Sequence, residues 1–159
     1  MDLKTLRQEK RLTQKEAAQL VGMPFRTYQN YEYGVVPLTS FAGKALLQAL
    51  EAYEPYGETQ GIYPQSDLIA VARKILGAYS AEEIAFAYLF GSYAKGKATA
   101  KSDIDLLIDG SLSGLRFFAL QSQLEKALHK KVDLLRLPDI KDNLAFLREI
   151  MKTGMRIYG

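Results

Sequence analysis

Apolar residues change their spacing once along this chain, at PYGETQGIYPQ, residues 55–65, where two prolines and two glycines break any regular period. Upstream, apolar positions recur at helical spacing in several short pieces. Downstream, two runs alternate at period two and are flanked by helical runs. A helix-period pattern does not serve as a strand, so the chain reads as α then α/β (α+β): an all-α domain over residues 1–54, a linker over 55–66, and an α/β domain over 67–159. The two parts differ too much to be duplicates, and neither contains internal repeats.

Composition narrows the chemistry. The absence of cysteine removes disulfides, thiolate zinc sites and cysteine nucleophiles together, and a single histidine, His129, excludes any site that needs two. Any metal must therefore be held by oxygen. With 48% apolar and 25% charged residues the balance is that of a soluble globular protein. No apolar run approaches a membrane span, and MDLKTLRQEK lacks the apolar core of a secretory signal, so a cytoplasmic protein with no membrane association is expected. A net charge of +3 suits a polyanionic partner without requiring one.

In the first domain, LTQKEAAQLVGMPFRTYQNYEYG predicts two short helices around a tight turn. Thr13 with Glu16 three residues on is a capping box, opening a helix over 14–21 that Gly22 ends. Pro24 suits the first turn of the next helix, which runs through Tyr31 to a stop near Gly34. Ala18 supplies the small residue where the helices cross, and Ala17, Val21, Tyr28 and Tyr31 face inward. Tyr33 is grouped with Tyr28 and Tyr31 as a packing cluster, and Leu46, Leu47, Leu50 and Tyr53 are ordinary core. A helical hairpin of this kind serves either nucleic acid or protein contact.

Residues 1 to about 54 resemble the helix-turn-helix of the phage-repressor and Xre-type regulators. The likeness lies in the helix over 3–10, the Thr-Gln that opens the next, the small residue and glycine at their spacing, and the ending from Tyr31 to Gly34. It implies that the second helix of the motif enters the major groove of double-stranded operator DNA, with Phe25, Arg26, Thr27 and Asn30 toward the bases and Gln14 toward a phosphate. Arginine can grip guanine and asparagine adenine, whereas Phe25 replaces the polar residue common at its position. Regulators of this kind bind two half-sites, which implies a homodimer.

In the second domain a helix is predicted over 67–79 with Ser66 as its N-cap, followed by a buried strand over 84–90. The strand runs into Gly91-Ser92, where backbone N–H groups, a hydroxyl and the nearby Lys95 suit a phosphate. The next strand, 103–109, sends Ile104, Leu106 and Ile108 to one face and Asp103, Asp105, Leu107 and Asp109 to the other. Neighbouring carboxylates repel unless a cation neutralises them, and Mg2+ prefers oxygen ligands and phosphate. Taken alone, the two acids fit either such a site or a charged strand edge. In KKVDLLRL, Asp133 points away from Val132 and Leu134, and it completes a triad if the two strands are neighbours. His129, Lys130 and Lys131 read as a solvated helix end.

The order Gly-Ser, Asp-x-Asp, then a later lone acid on a strand resembles the nucleotidyltransferase fold of the DNA polymerase β superfamily, most closely its minimal bacterial MNT (MntA-like) form. The likeness runs from LFGSYAKGKA through SDIDLLID and VDLL to LREIMKTGMRIYG. It implies a mixed sheet flanked by helices, two Mg2+ ions held by Asp103, Asp105 and Asp133 as the catalytic set, and ATP phosphates held at Gly91, Ser92 and Lys95. Lys95 stands where many members have arginine. A repressor-like reader fused to such a transferase resembles the antitoxin of a bacterial toxin-antitoxin module, which moves AMP from ATP to a tyrosine of a separately encoded HEPN-type toxin. The alternative is a DNA-binding regulator whose transferase fold is catalytically silent and serves as a binding surface.

Overall fold

The computed structural model describes residues 2–159 and divides after Pro55 into two units. In the first, α1 (Leu3–Glu9) precedes α2 (Gln14–Leu20), α3 (Phe25–Glu32) and α4 (Phe41–Ala52). The expected capping box opens α2: the Glu16 N–H donates to Thr13 Oγ1 at 3.2 Å and the Thr13 N–H donates to the Glu16 carboxylate at 2.7 Å. Gly22 turns the chain at a φ of +66°, a conformation that glycine adopts without steric cost. Pro24 is the N-cap of α3 and not a residue of its first turn.

Leu3, Leu6, Ala17, Ala18, Tyr28, Tyr31, Leu46 and Leu50 form the core of this unit. Tyr33 departs from the expected cluster: as the C-cap of α3 it lies past the buried face and is 64% exposed. An ion pair ties α1 to α3. Arg7 Nε and Nη2 donate to the two Glu32 carboxylate oxygens at 2.9 and 2.8 Å, and Nη1 donates to the Leu12 carbonyl at 2.8 Å. Burial alone would raise the Glu32 carboxyl, but hydrogen bonds from Arg7 and Gln14 hold it below its ordinary value.

The second unit contains α5 (Gln65–Leu76), β1 (Phe86–Phe90), α6 (Gly91–Ala94), β2 (Ile104–Asp109), α7 (Gly114–Leu128), β3 (Val132–Arg136), α8 (Leu137–Ile140), α9 (Leu144–Thr153) and β4 (Met155–Tyr158). Four boundaries differ from expectation: α5 ends at Leu76 and not at Tyr79, β2 begins at Ile104 and not at Asp103, and the starts of α5 and β1 shift as well. Pro64, and not Ser66, caps α5, because the Asp67 and Leu68 N–H groups donate to the Pro64 carbonyl at 3.0 and 3.1 Å. β1 begins at Phe86 because Ile84 is held in a preceding turn by its N–H to the Ser80 carbonyl at 2.9 Å, although Ile84 is fully buried. Within the stretch 55–66, Tyr56 and Tyr63 stack at 3.8 Å between ring centroids, and Tyr63 joins the core of this unit.

The strands lie in the order β3-β2-β1-β4, with β2 and β3 parallel and β1 antiparallel to both of its neighbours. Parallel neighbours need a crossover, and α7 supplies it. Alternation then separates two faces. Ile104, Leu106 and Ile108 enter the main core with Leu68, Ala72 and Leu76 of α5 and Leu120, Leu124 and Leu128 of α7. On the opposite face Leu107 packs with Phe90 and with Ile150 of α9. Among the described residues no helix is long and apolar enough to cross a membrane.

Candidate active site

The face carrying Leu107 also carries the acids. Antiparallel register puts Phe90, the last residue of β1, opposite Asp105, so the chain reaches Gly91 directly against the Asp105 side chain. Gly91 has a φ of +71°, and a Cβ placed on it would sit 2.2 Å from Asp105 Oδ2. Glycine is required there twice over, for its backbone conformation and for the space the carboxylate fills.

Asp105 and Asp133 are register partners on the parallel strands β2 and β3. Parallel pairing keeps partners on one side of the sheet, so these carboxylates stand next to each other. Burial raises the Asp105 carboxyl from its ordinary 3.8 to about 6, and the charges of Asp133 and Asp103 push the same way. Asp103 lies one residue before β2 and acts on Asp105 through space. Among the described residues no three Asp, Glu, His or Cys side chains are already gathered as a metal-ligand group. The donor set nonetheless fits a hard divalent cation: it is all oxygen, and the ionised form of its central member is destabilised by burial and then by the neighbouring acids.

A cleft of about 500 Å3 opens over these residues, lined by Gly91, Lys95, Asp105 and Asp133 together with side chains of α7 and α9. Among the described residues, Ser92 and Asp103 do not line it: Ser92 is the second residue of α6, and Asp103 sits at the mouth of β2. Lys95 Nζ approaches Glu149 to 3.3 Å, with both side chains partly exposed, so the cation stays at the rim of the cleft. Glu149 was not anticipated, nor were Phe146 and Thr153. The signal was the spacing, because Phe146, Glu149, Ile150 and Thr153 stand at i, i+3, i+4 and i+7 and so share one face of α9. Phe146 packs edge-on against Phe90 at 5.7 Å and forms part of the apolar wall.

In the helical unit, Phe25 is 39% exposed at the start of α3, beside exposed Arg26 and Thr27. Asn30 is half-buried, and its carbonyl accepts from the N–H groups of Val35 and Val36 at 2.9 and 3.2 Å. The Gln14 side chain is engaged within the unit: Nε2 donates to Glu32 at 3.1 Å and to the Tyr33 hydroxyl at 3.3 Å, and Oε1 accepts from Gln29 at 3.2 Å.

The mixed sheet pairs Asp105 and Asp133 across parallel strands and sets a glycine turn against Asp105, a geometry suited to metal-assisted group transfer. The family model described as polymerase beta nucleotidyltransferase matches residues 73–159, and a helix-turn-helix model matches residues 3–55. The chain belongs to the polymerase beta nucleotidyltransferase family, and the helix-turn-helix match is confined to its first unit. One relative, the protein adenylyltransferase MntA of Thermococcus cleftensis, is 34% identical over 91 residues, covering 55% of this chain and 89% of the relative. A Methanocaldococcus jannaschii protein, named as a candidate enzyme of the same kind, is 41% identical over 71 residues, covering 43% of this chain and 69% of its own. Among solved structures, a tri-AMPylated Shewanella oneidensis HEPN toxin in complex with an MNT antitoxin aligns with a TM-score of 0.47 and 24% identity, covering 60% of this chain and 73% of the other.

Proposed function

We propose that this nucleotidyltransferase is the antitoxin of a bacterial toxin-antitoxin module, transferring AMP from ATP to a hydroxyl of a separately encoded, HEPN-type toxin and repressing its own operon. The observation that carries the reading is the register pairing of Asp105 with Asp133 beside the Gly91 turn, in a chain that also carries a DNA-reading motif. The relative named as a protein adenylyltransferase supports AMP as the group moved and protein as the acceptor.

In this reading Asp103, Asp105 and Asp133 would hold Mg2+, two ions in all, while the Gly91 backbone, the Ser92 hydroxyl and Lys95 would bind the triphosphate. When bound, the metal neutralises the phosphates and acidifies the acceptor hydroxyl. Asp133 takes the proton of that hydroxyl as its oxygen bonds the α-phosphorus, and the bond to the β-phosphate breaks to release pyrophosphate. The apolar wall of Phe90, Phe146 and Ile150 keeps water from the reacting atoms.

Incubation of the full-length protein with labelled ATP, Mg2+ and the neighbouring gene's product is expected to label that product. Asp103→Ala and Asp105→Ala should each lower the transfer by about 100-fold or more, in line with removal of a group that fixes the reacting geometry. No label transfer from the wild-type chain would sink the enzymatic reading.

For DNA, the helix-turn-helix would bind the upstream region as a dimer, with Phe25, Arg26, Thr27 and Asn30 toward bases and Gln14 toward a phosphate. Arg26→Ala should weaken binding to that region by about tenfold, the scale of one lost arginine-base contact, while melting at the temperature of the wild type. Unchanged binding in an electrophoretic shift would remove Arg26 from the recognition surface.

A further inference from the structure

Lys130 was expected at a solvated helix end, and the structure contradicts this. His129, the C-cap of α7, takes a left-handed φ of 53° and is exposed, and the turn drives the next side chain inward. Lys130 is 2% exposed. Its ammonium donates to three backbone carbonyls, those of Gln60 at 2.9 Å, Gly61 at 2.7 Å and Ala100 at 2.7 Å. An ammonium has three N–H donors, so its hydrogen-bonding capacity is filled by chain segments about 30 and 70 positions away. A buried charge held mainly by carbonyl dipoles costs more than an apolar side chain of the same shape, so stability alone does not account for a lysine here.

What the ammonium fixes is the approach to β2. Asp105 and Asp133 lie on strands, where ladder hydrogen bonds set their positions. Asp103 has no such support, since β2 begins at Ile104. The chain on either side of Asp103 is held by consecutive residues: Lys130 Nζ binds the Ala100 carbonyl, and the Lys131 carbonyl accepts the Ile104 N–H at 2.9 Å. Between these anchors the Ser102 N–H closes a turn onto the Thr99 carbonyl at 3.0 Å. The field of Asp103 reaches Lys130 on one side and Asp105 on the other.

We propose that Lys130 is a positioning residue for Asp103, holding the loop before β2 so that this carboxylate can join Asp105 and Asp133 on a divalent cation. The inference rests on the reading of these acids as metal ligands, and it concerns metal affinity independently of transfer. Its role resembles that of outer-shell partners elsewhere, whose removal weakens metal binding by about 10- to 100-fold.

The test is a Mn2+ titration of the full-length protein followed by water-proton relaxation, with no nucleotide or acceptor present. Lys130→Met should weaken Mn2+ binding by about tenfold. In the Asp103→Asn background the same substitution should cause almost no further loss, whereas in the Asp133→Asn background the tenfold loss should persist. Lys130→Gln, which keeps two N–H donors without the charge, is titrated beside it and should fall between wild type and Lys130→Met. An equal loss in both acid backgrounds, or no loss in the wild-type background, overturns the inference. Failure of both Lys130 variants to fold overturns it in favour of a purely structural lysine. If the wild-type chain binds no Mn2+, the metal reading itself falls and this inference falls with it.

Discussion

Gly91→Ala is expected to abolish nucleotide transfer, by about 100-fold or more, while the protein still folds, because a displacement of about 1 Å at a reacting group is enough for such a loss. The added methyl would sit 2.2 Å from Asp105 Oδ2 and 3.0 Å from Asp105 Cγ, so either the carboxylate or the turn must move. Both belong to the candidate site. The left-handed conformation adds about 1 kcal/mol of strain for any residue with a Cβ. Gly96→Ala separates the two effects, since Gly96 has a similar φ of +69° and nothing within 4 Å of its would-be Cβ. That variant should lose a little stability and retain transfer. Parallel label-transfer assays and melting curves decide the matter. Wild-type transfer by Gly91→Ala would show that the contact between this turn and Asp105 does not set the catalytic geometry.

At Gly91 local pattern reaches only part of the site. From sequence, a glycine at the end of an apolar run suggests close approach to a phosphate; that it also faces Asp105 depends on the β1–β2 register, which pairs Phe90 with Asp105. Alternation in β2 was legible because its two faces meet different neighbours, so Ile104, Leu106 and Ile108 had to be apolar on the side of α5 and α7. The partnership of Asp105 with Asp133 required knowing that β3 lies beside β2, and sequence supplied only the condition. Glu149 and Thr153 were passed over because α9 is amphipathic in the ordinary way, and nothing local marks which turn of it overlooks a cleft. Lys130 was misread for a related reason. Lysine after a helix is usually solvated, and here a left-handed His129 and three distant carbonyls reverse that preference.

Asp105→Asn is expected to stabilise the metal-free protein above neutral pH while eliminating transfer. Burial raises this carboxyl from 3.8 to about 6, with the charges of Asp133 and Asp103 adding to the shift, so between those values the folded chain holds a proton that the unfolded chain has released. Stability therefore falls as pH rises from about 4 to about 6, and above that range the ionised group carries its full penalty. A shift of about two units sets an upper bound of about 3 kcal/mol on the penalty, and solvent screening at this half-open site brings it below that. Asparagine cannot ionise, so the variant should lack this slope and melt several degrees higher at pH 8, given the usual relation between stability and Tm. Mg2+ should raise the wild-type Tm by neutralising the same charge and should leave the variant nearly unmoved. Thermal melts of both proteins at pH 4.5 and pH 8, with and without Mg2+, measure each part. If the variant is less stable than wild type at pH 8 without metal, Asp105 is a satisfied structural carboxylate. If it is more stable and inactive, the wild type keeps a destabilising charge at the position where a cation is needed, which is the signature of a residue retained for chemistry.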